Sequence, residues 1–339
     1  MRNYVWLAAL VAAMFVASAQ AQVKVETVVD GLDNPCGVAI QPETGDVFVA
    51  DSGALRIVRI SGGKAEEVIT GFPKDVYGKG PMYDIGPLGL AFLNKDTLVV
   101  GGGGKPDGEE MLRVYTVPAA GEKITADKME ASFTLPAQNP GADNAVLGEG
   151  NFYALAVVGN GIYVTSNGDD TKGWINMATI EGGKVTSYKR YIATKEATGV
   201  DAPVGITVQP GVAGNLVVGQ MGEVTVPNDS LLTFYNPKNG KMLANMPTGL
   251  FDISAVAYSP KGQLYALDFA WMDATEGGLF QLIATRDGDK QAVKAEKVTS
   301  LDKPSAMVFG EDGALYITVF GTAEGDKQGG KLLKISSGL

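Results

Sequence analysis

Residues 36–40 of the chain read Cys-Gly-Val-Ala-Ile, a short apolar strand pattern with a small residue at its second position. The same pattern occurs five more times along the chain, at residues 88–92, 153–157, 204–208, 254–258 and 305–309. The small residues follow one another at spacings of 52, 65, 51, 50 and 51 positions. A fixed period of this length indicates a repeat architecture, here with six copies of one unit and an insertion in the second interval.

Each copy continues in the same way, with a second apolar strand, a third strand and a more polar fourth strand of the kind found at sheet edges. In the first copy these strands occupy residues 46–50, 55–60 and 65–70. The sixth copy ends after its third strand, and residues 23–29 (Val-Lys-Val-Glu-Thr-Val-Val) can supply the missing one. Four-stranded units repeated around an axis predict an all-β, six-bladed β-propeller whose N-terminal strand closes the last blade. We therefore expect residues 22–339 to form a single domain.

The first 21 residues have the features of a secretory signal peptide. Arg2 precedes an apolar run at residues 4–17, and residues 19–21 (Ala-Gln-Ala) fit a cleavage site. The run is shorter than the ~20 residues that a membrane span needs. The sequence therefore predicts a secreted protein, extracellular or periplasmic, that is not inserted in a membrane after cleavage.

Composition limits the chemistry that is open to this chain. With 38 Asp and Glu against 28 Lys and Arg, the formal net charge is −10. This acidity argues against a nucleic-acid partner, because phosphate binding requires a basic surface. The chain contains no histidine, so Ser-His-Asp catalysis and His-ligated zinc are unavailable within it. The single cysteine, Cys36, stands at a strand start and is predicted to be a buried small residue rather than a reactive thiol.

The loops of the predicted propeller differ between its two faces. The turns between strands one and two, and between strands three and four, are mostly short, whereas five of the six loops between strands two and three are long. The long connections at residues 71–87 and 136–151 share the face of the long loops. We call it the long-loop face, and the opposite one the short-turn face. The acidic and aromatic side chains of the long-loop face suit a cation, a sugar or a protein edge. Long loops on a rigid scaffold are where binding usually occurs. The predicted ligand-binding residues are Asp169, Asp170, Trp271, Tyr83 and Lys303.

The first repeat resembles an NHL repeat. Residues 31–40 read Gly-Leu-Asp-Asn-Pro-Cys-Gly-Val-Ala-Ile, and residues 45–52 and 56–60 continue the resemblance. The whole chain after the leader looks like the NHL and gluconolactonase-like (senescence-marker-protein-like) group of six-bladed propellers. That group includes lactonases, lyases and binding modules, so the resemblance implies an architecture more than an activity.

The resemblance also implies a divalent cation at the mouth of the central channel. Gluconolactonase-like propellers hold such a cation there with Glu, Asn and Asp oxygens, which suit Ca²⁺ or Mg²⁺. Residues 147–151 (Leu-Gly-Glu-Gly-Asn) resemble their Glu-Gly-Pro metal-binding segment, with an asparagine in place of the proline. The implied ligands in this chain are Glu149, Asn151, Asp252 and Asn34. Lys303, at the same register as Asp252, offers an alternative in which an ion pair replaces the metal.

Two functions remain open on the sequence. The preferred interpretation is a secreted, non-enzymatic binding or scaffold protein whose long-loop face holds a ligand, a protein, a cell-surface polymer or further copies of the chain. The reasons are the incomplete set of metal ligands and the lack of histidine. The alternative is a divalent-metal-dependent lactonase-like hydrolase, in which Glu149, Asn151 and Asp252 hold a cation that polarises a carbonyl group.

Overall fold

The structure is a computed structural model that describes residues 23–167, 171–211, 214–325 and 327–339. Its described residues are almost entirely β, with six antiparallel blades of four main strands around a central axis. The predicted six-bladed β-propeller is therefore confirmed. The predicted signal peptide, residues 1–21, lies outside the described residues.

The blades follow one another along the chain. From the axis outwards, blade one consists of Pro35–Ile40, Val47–Asp51, Arg56–Ser61 and Lys64–Thr70. Blade two consists of Pro87–Asn94, Thr97–Gly102, Leu112–Thr116 and Ala131–Phe133. Blade three consists of Leu155–Val158, Gly161–Ser166, Trp174–Glu181 and Lys184–Ala193. Blade four consists of Pro203–Val208, Leu216–Gln220, Leu231–Tyr235 and Met242–Pro247. Blade five consists of Ile253–Tyr258, Leu264–Asp268, Gly278–Asp287 and Lys290–Ser300. Blade six consists of Pro304–Phe309, Leu315–Val319, Gly330–Ile335 and Val25–Leu32.

The N-terminal strand closes the ring, as predicted. Val25–Leu32 pairs antiparallel with Gly330–Ile335, from Val25 opposite Ile335 to Leu32 opposite Gly330. Leu32 and Leu332 are buried in the apolar cluster that joins blade six to blade one. Pairing and burial together remove the open edge that would otherwise remain in blade six.

Contact between neighbouring blades explains the small residue of the repeated pattern. A Cβ atom added to Gly37 would lie 2.1 Å from the carbonyl oxygen of Leu88, and one added to Gly205 would lie 2.8 Å from the Cα atom of Ala255. The inner strands therefore pack backbone against backbone at these points, where a larger residue does not fit.

Three short elements lie outside the predicted pattern. The long connection from blade one to blade two contains a hairpin, Asp75–Tyr77 and Tyr83–Ile85. Ile124–Thr125 pairs parallel with the outer strand of blade one, and Thr194–Thr198 forms one turn of helix after blade three. Segments this short carry too little periodicity to be recognised in a sequence. Within the described ranges, the structure contains no helix with the length and hydrophobicity of a membrane span.

Candidate functional site at the channel mouth

Five aromatic side chains fill the mouth of the central channel on the long-loop face. Tyr77 and Tyr83 come from the hairpin between blades one and two, Phe269 and Trp271 from a loop of blade five, and Phe320 from a loop of blade six. The ring centre of Tyr83 lies 5.3 Å from that of Trp271 and 5.1 Å from that of Phe320. The edge-to-face geometry of these pairs is the arrangement that aromatic rings favour. We call this group the aromatic plug, because it closes the channel at this end.

The predicted ligand-binding residues do not form one exposed site. Trp271 is only 7% exposed, and Tyr83 is half-buried, because both belong to the aromatic plug. Lys303 Nζ lies 2.9 Å from Asp302 Oδ1 and also donates to the carbonyl oxygen of Gly321. It therefore pairs with its neighbour rather than with Asp252. Asp169 and Asp170 lie outside the described residues.

The residues expected to bind a divalent cation are largely held by the protein itself. Glu149 is fully buried and accepts a hydrogen bond from Ser166 Oγ. Asn34 Nδ2 donates to the carbonyl oxygen of Asp84 at 3.2 Å, and Asn151 sits beside blade two at a left-handed φ of 53°. In the described part of the chain, no three or more His, Cys, Asp or Glu side chains are grouped to hold a metal. Two of the four implied ligands, Glu149 and Asn34, are thus engaged by protein groups, and the cation site stays a prediction.

Asp252 is the most perturbed acid at the mouth. It stands just before the inner strand of blade five and is 3% exposed. Its Oδ2 accepts the backbone N–H of Trp271 at 2.5 Å, while no described residue donates a hydrogen bond to Oδ1. Burial, reinforced by the carboxylates of Asp268 and Asp229, raises the pKa of Asp252 to about 7, against the opposing effect of the Trp271 N–H. Asp252 thus changes charge near neutral pH.

Asp268, the last residue of the second strand in blade five, fixes the backbone around Asp252. Its Oδ2 accepts the N–H of Phe251 at 2.9 Å, and its Oδ1 accepts those of Asp252 at 2.8 Å and Ala270 at 3.1 Å. Burial raises the pKa of Asp268 as well, although these three hydrogen bonds oppose the rise. Because both of its oxygens are occupied by backbone donors, Asp268 is a positioning residue rather than a proton carrier.

A polar recess of about 160 Å³ lies beside the aromatic plug. Its lining includes Tyr77, Asn167 and two lysines that are paired with acids. Lys79 Nζ lies 3.1 Å from a carboxylate oxygen of Glu223, and Asn167 Nδ2 donates to the Tyr77 hydroxyl at 3.1 Å. Lys195 Nζ lies 2.7 Å from Asp201 Oδ2. Tyr77 joins the recess to the plug, since its ring centre lies 5.7 Å from that of Trp271.

The sequence reasoning placed Asp252 at the mouth but grouped it with metal ligands that the fold keeps engaged elsewhere. The positioning role of Asp268 could be predicted from the sequence, since an aspartate that starts a turn can cap it by accepting hydrogen bonds from backbone amides. A signal for that role is present in the sequence, because Asp51 and Asp268 end equivalent second strands in two blades.

Comparison with known proteins supports the architecture. No protein-family model and no curated protein sequence matches the chain. A gluconolactonase from Xanthomonas campestris matches with a TM-score of 0.56 at 14% identity, covering 94% of this chain and 91% of its own. The PQQ-bound aldose sugar dehydrogenase of Streptomyces coelicolor matches with a TM-score of 0.60 at 16% identity, covering 93% and 98%. The soluble aldose sugar dehydrogenase of Escherichia coli, in its apo form, gives 0.59 at 15% identity, covering 92% and 99%.

The chain is therefore a six-bladed β-propeller of the kind found in gluconolactonases and sugar dehydrogenases, as the sequence resemblance predicted. The preferred sequence interpretation, a non-enzymatic binding or scaffold protein, is wrong by this comparison. The similar structures are enzymes, and the match covers more than 90% of each chain. One of these similar structures contains bound PQQ.

Proposed function

We propose that the protein is an enzyme that hydrolyses a neutral sugar lactone at the long-loop face, with Asp252 as its general base. The observation that carries the proposal is the state of this carboxyl. It is buried, one oxygen is held by the Trp271 N–H, the other accepts no hydrogen bond from the described residues, and its pKa is about 7. A proton carrier works best with a pKa near the working pH, and strongly perturbed acids are concentrated at functional sites.

The surroundings of Asp252 favour an uncharged, sugar-like substrate. The lysines of the polar recess, Lys79 and Lys195, are both within salt-bridge distance of carboxylates, so they offer little attraction to a phosphate or a second carboxylate. Tyr77 and Trp271 present aromatic rings next to this recess. Aromatic rings beside hydrogen-bonding groups suit the apolar faces and the hydroxyl groups of a sugar. The gluconolactonase among the similar structures supports the same substrate class.

In the proposed reaction, Asp252 Oδ1 takes a proton from a water molecule while the water oxygen attacks the lactone carbonyl carbon. The bond between the carbonyl carbon and the ring oxygen then breaks, and Asp252 returns the proton to that oxygen, which gives the hydroxy acid. The Trp271 N–H keeps Oδ2 in place, and Asp268 fixes the backbone of Asp252. Since Asp252 is 3% exposed, the substrate reaches it only when the aromatic plug moves aside.

A calcium ion at Glu149, Asn151, Asp252 and Asn34 is not part of this proposal. Glu149 is engaged by Ser166, and Asn34 presents its amide N–H to the carbonyl oxygen of Asp84. The leader pattern of residues 1–21 supports a further proposal, that the protein acts after export from the cytoplasm.

The test is hydrolysis of a panel of aldonolactones by purified protein, corrected for spontaneous ring opening. We expect kcat/KM to rise with pH and to level off above about pH 7, as Asp252 loses its proton. The Asp252→Asn variant should lose at least about a hundredfold in kcat/KM, because an amide cannot take up the proton. The matched control is Asp289→Asn, in an exposed turn of the same blade, which should keep the parent rate. No turnover of any aldonolactone, or equal rates for the Asp252→Asn variant and the parent, would overturn the proposal.

A further inference from the structure

We infer that the central channel contains a second site, a cavity that binds a small, uncharged, single-ring molecule carrying one oxygen acceptor. The cavity has a volume of about 130 Å³ and lies between the six inner strands. Each inner strand contributes one apolar side chain at the position after its small residue, and these are Val38, Leu90, Leu155, Ile206, Val256 and Met307. An apolar cavity of about 150 Å³ engineered into another protein stays dry and binds benzene or xenon.

The polar groups in the cavity wall are mostly satisfied within the protein. Ser254 Oγ donates to the carbonyl oxygen of Pro304 at 2.7 Å, and Ser305 Oγ donates to that of Pro35. Burial raises the pKa of Cys36 to about 12, so its thiol stays neutral. None of the residues described as lining the cavity is charged. Water in the cavity would find few hydrogen-bond partners, and an apolar occupant is therefore favoured.

One polar group at the end of the cavity that the aromatic plug lines indicates which polar atom the ligand should carry. The indole N–H of Trp271 is buried and has no hydrogen-bond partner among the described residues. A buried donor left without an acceptor is energetically unfavourable. A carbonyl or hydroxyl oxygen on the ligand is the group that would satisfy this donor.

At the long-loop face the cavity is lined by the aromatic plug, through Tyr77, Tyr83, Phe269, Trp271 and Phe320. Asp252 does not line the cavity, so this site is distinct from the proposed catalytic one. In this inference the ligand enters from the opposite, short-turn face, because the plug fills the other end of the channel.

Phenol is the probe for this site, with benzoate as a charged molecule of similar size. We expect phenol to bind with one-to-one stoichiometry in calorimetric titration, to raise the Tm of the protein and to change the fluorescence of Trp271. Benzoate should do none of these, because its carboxylate would lose its hydration in an apolar cavity. The Trp271→Phe variant should bind phenol several-fold more weakly, since it keeps an aromatic ring but loses the N–H donor.

Two variants that fill the cavity decide the outcome. Val256→Phe and Ala306→Leu add volume at its wall and should abolish phenol binding, while Val226→Phe on an exposed loop should leave it unchanged. The second cavity variant serves if the first does not fold, which thermal unfolding reveals. Absence of phenol binding at millimolar concentration, binding retained in the cavity variants, or equal binding of benzoate would each overturn the inference.

Discussion

Blades one and five place acids at equivalent positions and surround them differently. Asp51 and Asp268 each end the second strand of their blade. Each accepts a backbone N–H from the connection that precedes the inner strand: Asp51 Oδ1 accepts that of Asp33 at 2.6 Å, and Asp268 Oδ2 accepts that of Phe251 at 2.9 Å. The fold therefore uses one capping arrangement twice.

The two blades differ in the charged side chain that lies beside this aspartate. In blade one, Arg56 Nε lies 2.8 Å from Asp51 Oδ2, and the same guanidinium lies 2.9 Å from Glu67. In blade five, no Lys or Arg of the described ranges forms a salt bridge with Asp268, and a second acid, Asp252, lies against it. Burial raises the pKa of Asp51 and of Asp268, and backbone N–H donors oppose the rise at both; at Asp51 the Arg56 guanidinium opposes it as well. The comparison teaches that one capping arrangement carries a salt bridge in blade one and, in blade five, a second buried acid, Asp252, whose pKa is raised to about 7.

The largest expected effect on stability comes from replacing Asp252 in blade five. Because the pKa of Asp252 is higher in the folded state than the ordinary 3.8, the folded protein binds more protons than the unfolded chain between about pH 4 and pH 7. Its free energy of unfolding therefore falls as pH rises through this range and levels off above it. The Asp252→Asn variant lacks this dependence and should gain about 4 kcal/mol relative to the parent between pH 4 and pH 8.

Urea unfolding at a series of pH values measures this difference. Buried acids distant from Asp252 contribute equally to both proteins and cancel in the comparison. The Asp289→Asn variant, in an exposed turn of the same blade, should follow the parent curve. Parallel curves for the Asp252→Asn variant and the parent would show that Asp252 has an ordinary pKa, and the contrast between the blades would fail.

A smaller effect should follow from removing the cation of blade one. The Arg56→Met variant keeps the aliphatic stem but leaves the fully buried Asp51 carboxylate without its ion-pair partner. Loss of one partner from a buried pair is strongly destabilising, and because Arg56 is partly exposed we expect a cost of about 2–3 kcal/mol at pH 7. The control is Lys95→Met, whose contact with Glu43 is exposed at 3.7 Å and should contribute little. Equal stability of the two variants would contradict the role given to Arg56.

The smallest effect should come from the outer partner of the same arginine. Glu67 is 37% exposed and contacts both Arg56 and Lys123, which lower its pKa. A carboxylate with a lowered pKa stabilises the fold above the ordinary pKa of glutamate, and this stabilisation is lost as pH falls. The Glu67→Gln variant should therefore cost less than about 1 kcal/mol at pH 7, and the cost should decrease in acid and in high salt. A cost as large as that of Arg56→Met would mean that Glu67, and not Asp51, is the important partner.

The architecture could be predicted from the sequence because the repeated residues lie where neighbouring inner strands contact each other. Gly37, Gly89 and Gly205 recur at the points where inner strands meet, so the pattern marks each blade directly. The hairpin Asp75–Tyr77 and Tyr83–Ile85 occurs only once and has strands of three residues, so neither repetition nor periodicity reveals it. As a consequence, Tyr83 and Trp271 were expected on an exposed surface, whereas they pack together in the aromatic plug.

The candidate site was only partly predictable for a related reason. Register alone placed Asp252 and Lys303 at the channel mouth. What each side chain contacts depends on the loops, and these carry no repeat. Lys303 turns to the adjacent Asp302, and Asp252 receives the N–H of Trp271 from a loop 19 positions further along the chain. Such contacts follow from the three-dimensional path of the loops and not from local pattern.

The pairing of Val25–Leu32 with Gly330–Ile335 has a consequence for biosynthesis. Blade six combines Val25–Leu32 with three strands between residues 304 and 335, so the ring stays open until residue 335 has been made. Until then, the early blades exist as an incomplete arc with exposed strand edges, the kind of intermediate that is prone to aggregation. Contacts between residues so distant in sequence also slow the search for the native pairing. The ring of this protein is therefore completed only when the strand Gly330–Ile335 reaches Val25–Leu32.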